Sequence, residues 1–164
     1  MEETRVVDIE HIMTMLDSNN RDEVQAEGME YAKNIKSINV FLQPVSPGIH
    51  KNVWENCAKI LAAKSDQELQ PYLLHLLLWL EDLNWPGASI IMARLKHFSG
   101  RSLSPEFTHA VYLARMDLPG GEWLDYLSGL LENKDLRMYL APDVLDLLCG
   151  RYDDFWGNRE DSFR

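Results

Sequence analysis

Ten residues, "WLEDLNWPGA" from Trp79 to Ala88, hold two tryptophans, two carboxylates, an asparagine and a Pro-Gly pair. Adjacent acids such as Glu81–Asp82, or Asp153–Asp154 further on, raise the question of acid/base chemistry. On a helix, neighbouring side chains point in different directions, so adjacency is poor support for two carboxyls converging on one substrate. The five histidines, His11, His50, His75, His97 and His109, contain no pair at i, i+3 or i, i+4, so the helical spacing of metal ligands is absent. His75 stands among leucines and reads as a hydrogen-bonded core histidine rather than a ligand. Cys57 falls on the apolar side of its segment and reads as a buried, inert thiol, because a nucleophile needs an electropositive, partly open setting. The "PGG" at 119–121 lacks the lysine and spacing of a phosphate-binding loop, and no nucleophile elbow occurs. No catalytic residue, metal ligand or cofactor-binding residue is therefore assigned.

The elements that would have to position such residues are helical throughout. Ile9, Ile12, Met13 and Leu16 repeat at i, i+3, i+4, i+7. "SNN" breaks that pattern, and Val24, Gly28, Tyr31, Ala32 and Ile35 mark a second helix, with Gly28 placed to let another helix approach closely. Residues 37–50, "SINVFLQPVSPGIH", show no helical period but are too apolar for a free linker, so an ordered loop pinned to the body is expected. Val53, Cys57, Ile60 and Leu61 give a third helix. Ser65 and Glu68 form a predicted capping box ahead of Pro71, and the main helix is predicted to start near Gln70. From Tyr72 to Leu83 that helix is apolar on nearly every side, which predicts a central position with neighbours on both flanks.

Pro86 is expected in the first turn of the next helix, with Asn84 or Trp85 as its cap; Ala88, Ile91, Met92, Leu95 and Phe98 share its face. "SGRS" ends it, and Ser104-Pro105 opens another. "DLPGG" breaks the chain before Trp123, Leu127, Leu130 and Leu131. A last helix starts near Pro142 and stops at Gly150. The tail keeps Tyr152, Phe155 and Trp156 as anchors and frays from about Arg159. In this reading Trp79 closes a buried helix, Trp85 lids the crossing, and Glu81 and Asp82 sit where a helix N-terminus favours negative charge. The dense stretch is architecture before it is chemistry.

No segment alternates at period two, so the expected fold class is all-α: a short HEAT-like α-solenoid of antiparallel helix pairs, with an irregular helical bundle as the fallback. One helical domain spans 1–164, comprising an N-terminal helix pair over 1–36, a helical array over 51–150 and a tail over 151–164.

The strings "LLLWLEDLNWPGA", "VFLQPVSPGIHKNVWENCAKIL", "KSDQELQPYL" and "ASIIMARL" resemble the signature of a bacterial helical family catalogued as a domain of unknown function. The resemblance is strongest over about 24–98 and weak after 105. It implies a HEAT-like helical array, carries no activity, and implies that the 37–50 loop, Trp54, Asn56 and the 79–87 corner form one structural unit.

Bulk properties bound the function. The chain has 164 residues with 46% hydrophobic and 26% charged, enough for a core without disulfides or metals. Its net charge is −10, with nine acids and two bases in the first 30 residues. An acidic protein is repelled by nucleic acid and by anionic membrane. One acid-free window, Leu83 to Pro105, contains Arg94, Lys96, His97 and Arg101; a solvated helix face is favoured there over an anion site. The two cysteines, Cys57 and Cys149, suit a reducing compartment. "MEETRVVDIE" lacks the apolar segment of a secretory signal, and the longest apolar run, Leu76 to Leu80, is far too short to span a bilayer. The expected localisation is cytoplasmic.

The leading expectation is a non-enzymatic module holding a protein or peptide, with no cofactor and with Trp54, Asn56, Glu81, Asp82, Asn84 and Trp85 as partner-binding residues. The alternatives are a nucleic-acid-binding or base-repair protein and an enzyme with an unrecognised carboxylate–histidine site. They require, respectively, a basic groove with aromatic platforms and a deep pocket where a histidine and an acid meet.

Overall fold

A computed structural model of the chain describes residues 8–44, 51–116 and 121–157. The expectations for residues 45–50, for the break at 117–120 and for fraying beyond Arg159 lie outside these. Apolar spacing becomes helix as expected, and no strand occurs among the described residues, so the fold is all-α. Asp8 caps α1 (Ile9–Met15), its carboxylate accepting from the Glu10 amide at 3.3 Å. In the following turn Asn20 donates to the carbonyls of Thr14 and Met15 and fixes the entry to α2 (Asp22–Ala32). Gly28 lies against α1 so closely that a Cβ there would sit 2.8 Å from the Met15 Cβ. The apolar loop folds as a 3-10 turn, Ile38–Phe41, that buries Ile38, Phe41 and Leu42 and packs on α3 (Trp54–Ala62).

The capping box forms: the Ser65 hydroxyl accepts from the Glu68 amide, and the Glu68 carboxylate accepts from the Ser65 amide. It starts α4 (Asp66–Leu69), and Pro71 then falls in the 3-10 turn Gln70–Tyr72 ahead of α5 (Leu73–Leu78). A further 3-10 turn, Trp79–Glu81, leads to the corner and to α6 (Ala88–Leu95). The remaining helices are α7 (Gly100–Arg115), α8 (Glu122–Ser128), α9 (Lys134–Arg137) and α10 (Pro142–Phe155).

α1 packs on its neighbour α2, but most of the larger contacts between later helices skip along the chain. α3 packs on α6, α5 on α7, α9 on α7, and α8 on both α10 and the Trp79–Glu81 turn. One cluster of buried residues runs from Ile12 to Tyr152, with Trp79 among its largest fully buried side chains. Among the described residues no helix is long and apolar enough to cross a membrane.

Several local expectations are overturned. α7 begins at Gly100, not at Ser104-Pro105, and Pro105 lies inside it. Its start is fixed by tertiary contacts: Ser99 is the cap, the Asp66 carboxylate accepts from the Ser99 amide at 2.9 Å, and Asp135 accepts from the Gly100 amide at 2.6 Å. Gly150 does not end α10. The helix continues because Tyr152 is buried beyond it and Arg151 reaches the Gly121 carbonyl and Asp125, each at 3.1 Å. His75 is exposed, and Tyr72, Leu74 and Leu78 are half-buried, so α5 has an outer edge facing solvent. Neither Asn84 nor Trp85 caps α6, and Pro86 does not lie in its first turn: Gly87 is the cap and the helix begins at Ala88.

Candidate functional site

The corner is built on α3. Trp54, its first residue, meets Trp79 edge-on with ring centroids 6.2 Å apart and Trp85 edge-on at 5.7 Å. Perpendicular aromatic pairs of this kind add roughly 0.5–1.5 kcal/mol each beyond their buried area. Trp79 is wholly buried, and its indole N–H donates to the Pro86 carbonyl at 3.0 Å, closing the loop across its base. Asp82 accepts from the Asn84 amide at 2.8 Å, and its carbonyl accepts from the Trp85 amide, so a local side-chain turn reverses the chain. Gly87 then adopts φ +83°. A Cβ there would lie 2.7 Å from the Ala58 Cβ and 2.9 Å from the Trp54 carbonyl oxygen. The backbone thus rests directly on α3, which only glycine permits.

Beneath the corner, Asn56 is buried and donates to the Leu16 carbonyl at 2.8 Å and to Gln25 Oε1 at 2.9 Å, tying α3 to α1 and α2. Above it, Glu81 and Asn84 are exposed, and Asp82, Pro86 and Trp85 are half-buried. The six sequence-predicted residues therefore divide. Trp54 and Asn56 lie inside as support, while Glu81, Asp82, Asn84 and Trp85 form the outer rim. Trp85 and Trp54 touch directly, whereas Asn56 faces the first two helices. Lys51 stands 5.6 Å over the Trp54 ring. Across the corner, the Tyr126 hydroxyl is pushed above the usual phenol range by burial and then by the charges of Glu122, Asp82 and Asp125.

Among the described residues the other chemistry-bearing groups do not converge. The ion-paired histidine, His109, meets Glu106 at 3.6 Å one turn away on α7, with both side chains exposed. Cys57 is fully buried, and burial, opposed weakly by the neighbouring Gln43 amide, pushes its thiol up to about 12. A thiol held protonated in this way is no nucleophile near neutral pH. Gln43 is itself wholly buried; neither its amide nor the Trp54 indole N–H has a hydrogen-bond partner of good geometry. Among the described residues no three His, Cys, Asp or Glu side chains are grouped to hold a metal. The acid-free window is largely engaged internally: Arg94 binds Asp66 at 2.6 Å and the carbonyls of Ala62 and Lys64, and Lys96 reaches Glu132 at 3.4 Å.

A second feature has no counterpart in the sequence reading. A groove of about 210 Å³ lies between α2 and α3, lined by Met29, Lys33, Lys59, Ile60, Ala63 and Lys64. Its lysines come from two helices some thirty positions apart, so no local spacing announces them.

Residues 50–117 match the family described as a domain of unknown function (DUF5071). The match takes in α3 to α7 and the whole corner, and overlaps the stretch whose motifs resembled an uncharacterised helical family. No curated protein and no solved structure matches the chain.

Proposed function

We propose that this chain is a non-enzymatic binding module, a short HEAT-like array of stacked helix pairs that holds a protein or peptide at the rim of the tryptophan corner. In this reading Glu81, Asp82, Asn84 and Trp85 contact the partner, and Trp54 and Asn56 keep that rim rigid from below. The observation that carries it is Trp85: a half-exposed indole held edge-on against Trp54, with exposed Glu81 and Asn84 beside it. Interfaces draw most of their energy from a few aromatic anchors, and anchors fixed before binding lose little entropy on association. A buried, reduced Cys57 thiol fits a cytoplasmic adaptor.

The rivals find less support. Among the described residues, the ion-paired histidine available to an acid/base enzyme is His109, in a solvent-exposed pair with Glu106. A nucleic-acid binder needs free cations, and two of the three in the acid-free window are already paired. Tight binding to duplex DNA in a titration near 150 mM salt would displace the reading.

The test is a photo-crosslinking residue placed at Asn84 and, separately, at Arg115 on α7, in the cells that make the protein. A covalent adduct of defined mass is expected from position 84 and not from 115, and it should weaken when Trp85→Ala is added. No adduct from 84, or the same adduct from both positions, overturns the proposal.

A further inference from the structure

We propose that the groove between α2 and α3 docks a short acidic segment of a partner protein, with one apolar side chain on its floor and flanking carboxylates at its lysine rim. The groove is formed near the C-terminal ends of the two helices, whereas Trp54 and the corner lie at the opposite end of α3. It is a second surface and stands independently of the first.

Size restricts the occupant. Pockets that take whole small ligands run to roughly 300–1,000 Å³. At about 210 Å³ this groove suits one large side chain rather than an entire cofactor or a long acyl chain. Met29, Ile60 and Ala63 supply the apolar surface for it.

Charge fixes the chemistry. The chain carries 26 acids against 16 lysines and arginines, yet the groove is lined by three lysines and no acid. The lysines come from both walls: Lys33 caps the end of α2, Lys59 lies in the last turn of α3 and Lys64 just past it. A rim with charge on both sides matches carboxylates on either side of an anchor better than the single head of an amphiphile. Lys33 pairs with Glu30 at 2.6 Å, but both side chains are about two-thirds exposed, and such a pair is readily exchanged for another. Lys64 acts on Glu68 through space, and neither it nor Lys59 makes a salt bridge among the described residues.

The walls are fixed in advance. Arg94 donates to the carbonyls of Ala62 at 3.2 Å and Lys64 at 2.9 Å, so the end of α3 is held rather than frayed. The Gly28–Met15 approach locks α2 in place. A preformed groove binds a partner without the cost of ordering itself.

The test uses the full chain at 50 mM salt and a fluorescent five-residue peptide with one phenylalanine between two pairs of glutamates, read by anisotropy. Binding with Kd below about 1 mM is expected. The double variant Lys59→Glu, Lys64→Glu should weaken it at least about tenfold, while Lys59→Arg, Lys64→Arg retains it. Replacing the peptide's phenylalanine by serine should weaken binding by a similar factor, and 500 mM salt should weaken it severalfold. Circular dichroism verifies that both variants are folded. Trp85→Ala should leave the titration unchanged, which separates this site from the corner. No binding by the wild-type chain, binding indifferent to the charge reversal, or equal binding of the serine peptide overturns the proposal. Displacement of the peptide by dodecanoate at tenfold lower concentration overturns it in favour of a small amphiphilic carboxylate.

Discussion

Burial holds the Cys57 thiol up to about 12, against 9.0 for an unperturbed group. The folded state therefore keeps its proton over a range where the unfolded chain has lost it. The associated stability is fully present below about pH 9 and declines as pH rises towards 12, by up to about 1.4 kcal/mol per pH unit. Urea midpoints of the wild type and Cys57→Ala, measured from pH 8 to 10.5, should converge as pH rises. In the native protein at pH 8, a thiol reagent should titrate half-buried Cys149 and leave Cys57 until unfolding. Asn133 makes a different kind of commitment. Its amide donates to the carbonyls of Leu95 and Phe98, each at 2.9 Å, and its oxygen accepts from the Leu136 amide at 3.0 Å. Asn133→Ala strands three buried groups and should cost about 3 kcal/mol in chemical denaturation. Cys57 was legible as buried because its apolar neighbours recur at helical spacing. His75 was not, because flanking leucines do not say which side of a helix a residue faces.

Local signals fixed those helix ends whose caps are near in sequence. Ser65 and Glu68 are three positions apart, and their box formed as read. The start of α7 was illegible for the opposite reason: its amides are met by Asp66 and Asp135, 33 and 35 residues away. Ser104-Pro105 carries a strong start signal, and it is overruled by those distant carboxylates. The helix thus retains a proline where the Arg101 carbonyl would otherwise receive an amide. Pro105 is exposed, so Pro105→Ala should restore that bond and raise the melting temperature by several degrees. Gly100→Ala should act in reverse. A Cβ at Gly100 would overlap the Asp135–Leu136 backbone, forcing α7 and α9 apart at a cost of about 2 kcal/mol or more in the same assay. The corner was half legible: its role as architecture followed from composition, but the cap at Gly87 did not, since it depends on how close Ala58 and Trp54 come from another helix.

At the scale of the molecule, the absence of period-two segments was enough to read an all-α chain. Which helix lies beside which was not readable, because α3 passes over α4 and α5 to reach α6. That choice rests on shape: a glycine against Ala58 on one side, an arginine clamp on the carbonyls of Ala62 and Lys64 on the other. The lysine groove was hidden for the same reason, being a product of two walls that meet only after folding. The buried cluster continues from Ile12 to Tyr152 without division. Thermal or urea unfolding should accordingly be a single transition, with far-ultraviolet dichroism and tryptophan emission superimposing; two separated midpoints would show that the first helix pair melts by itself. The three clustered indoles have an optical consequence as well. Trp54 lies 6.2 Å from Trp79 and 5.7 Å from Trp85, near enough for the indoles to exchange excitation, so a perturbation of one ring should change the emission of the cluster. Tryptophan emission should therefore report, without a label, any change in the surroundings of Trp85.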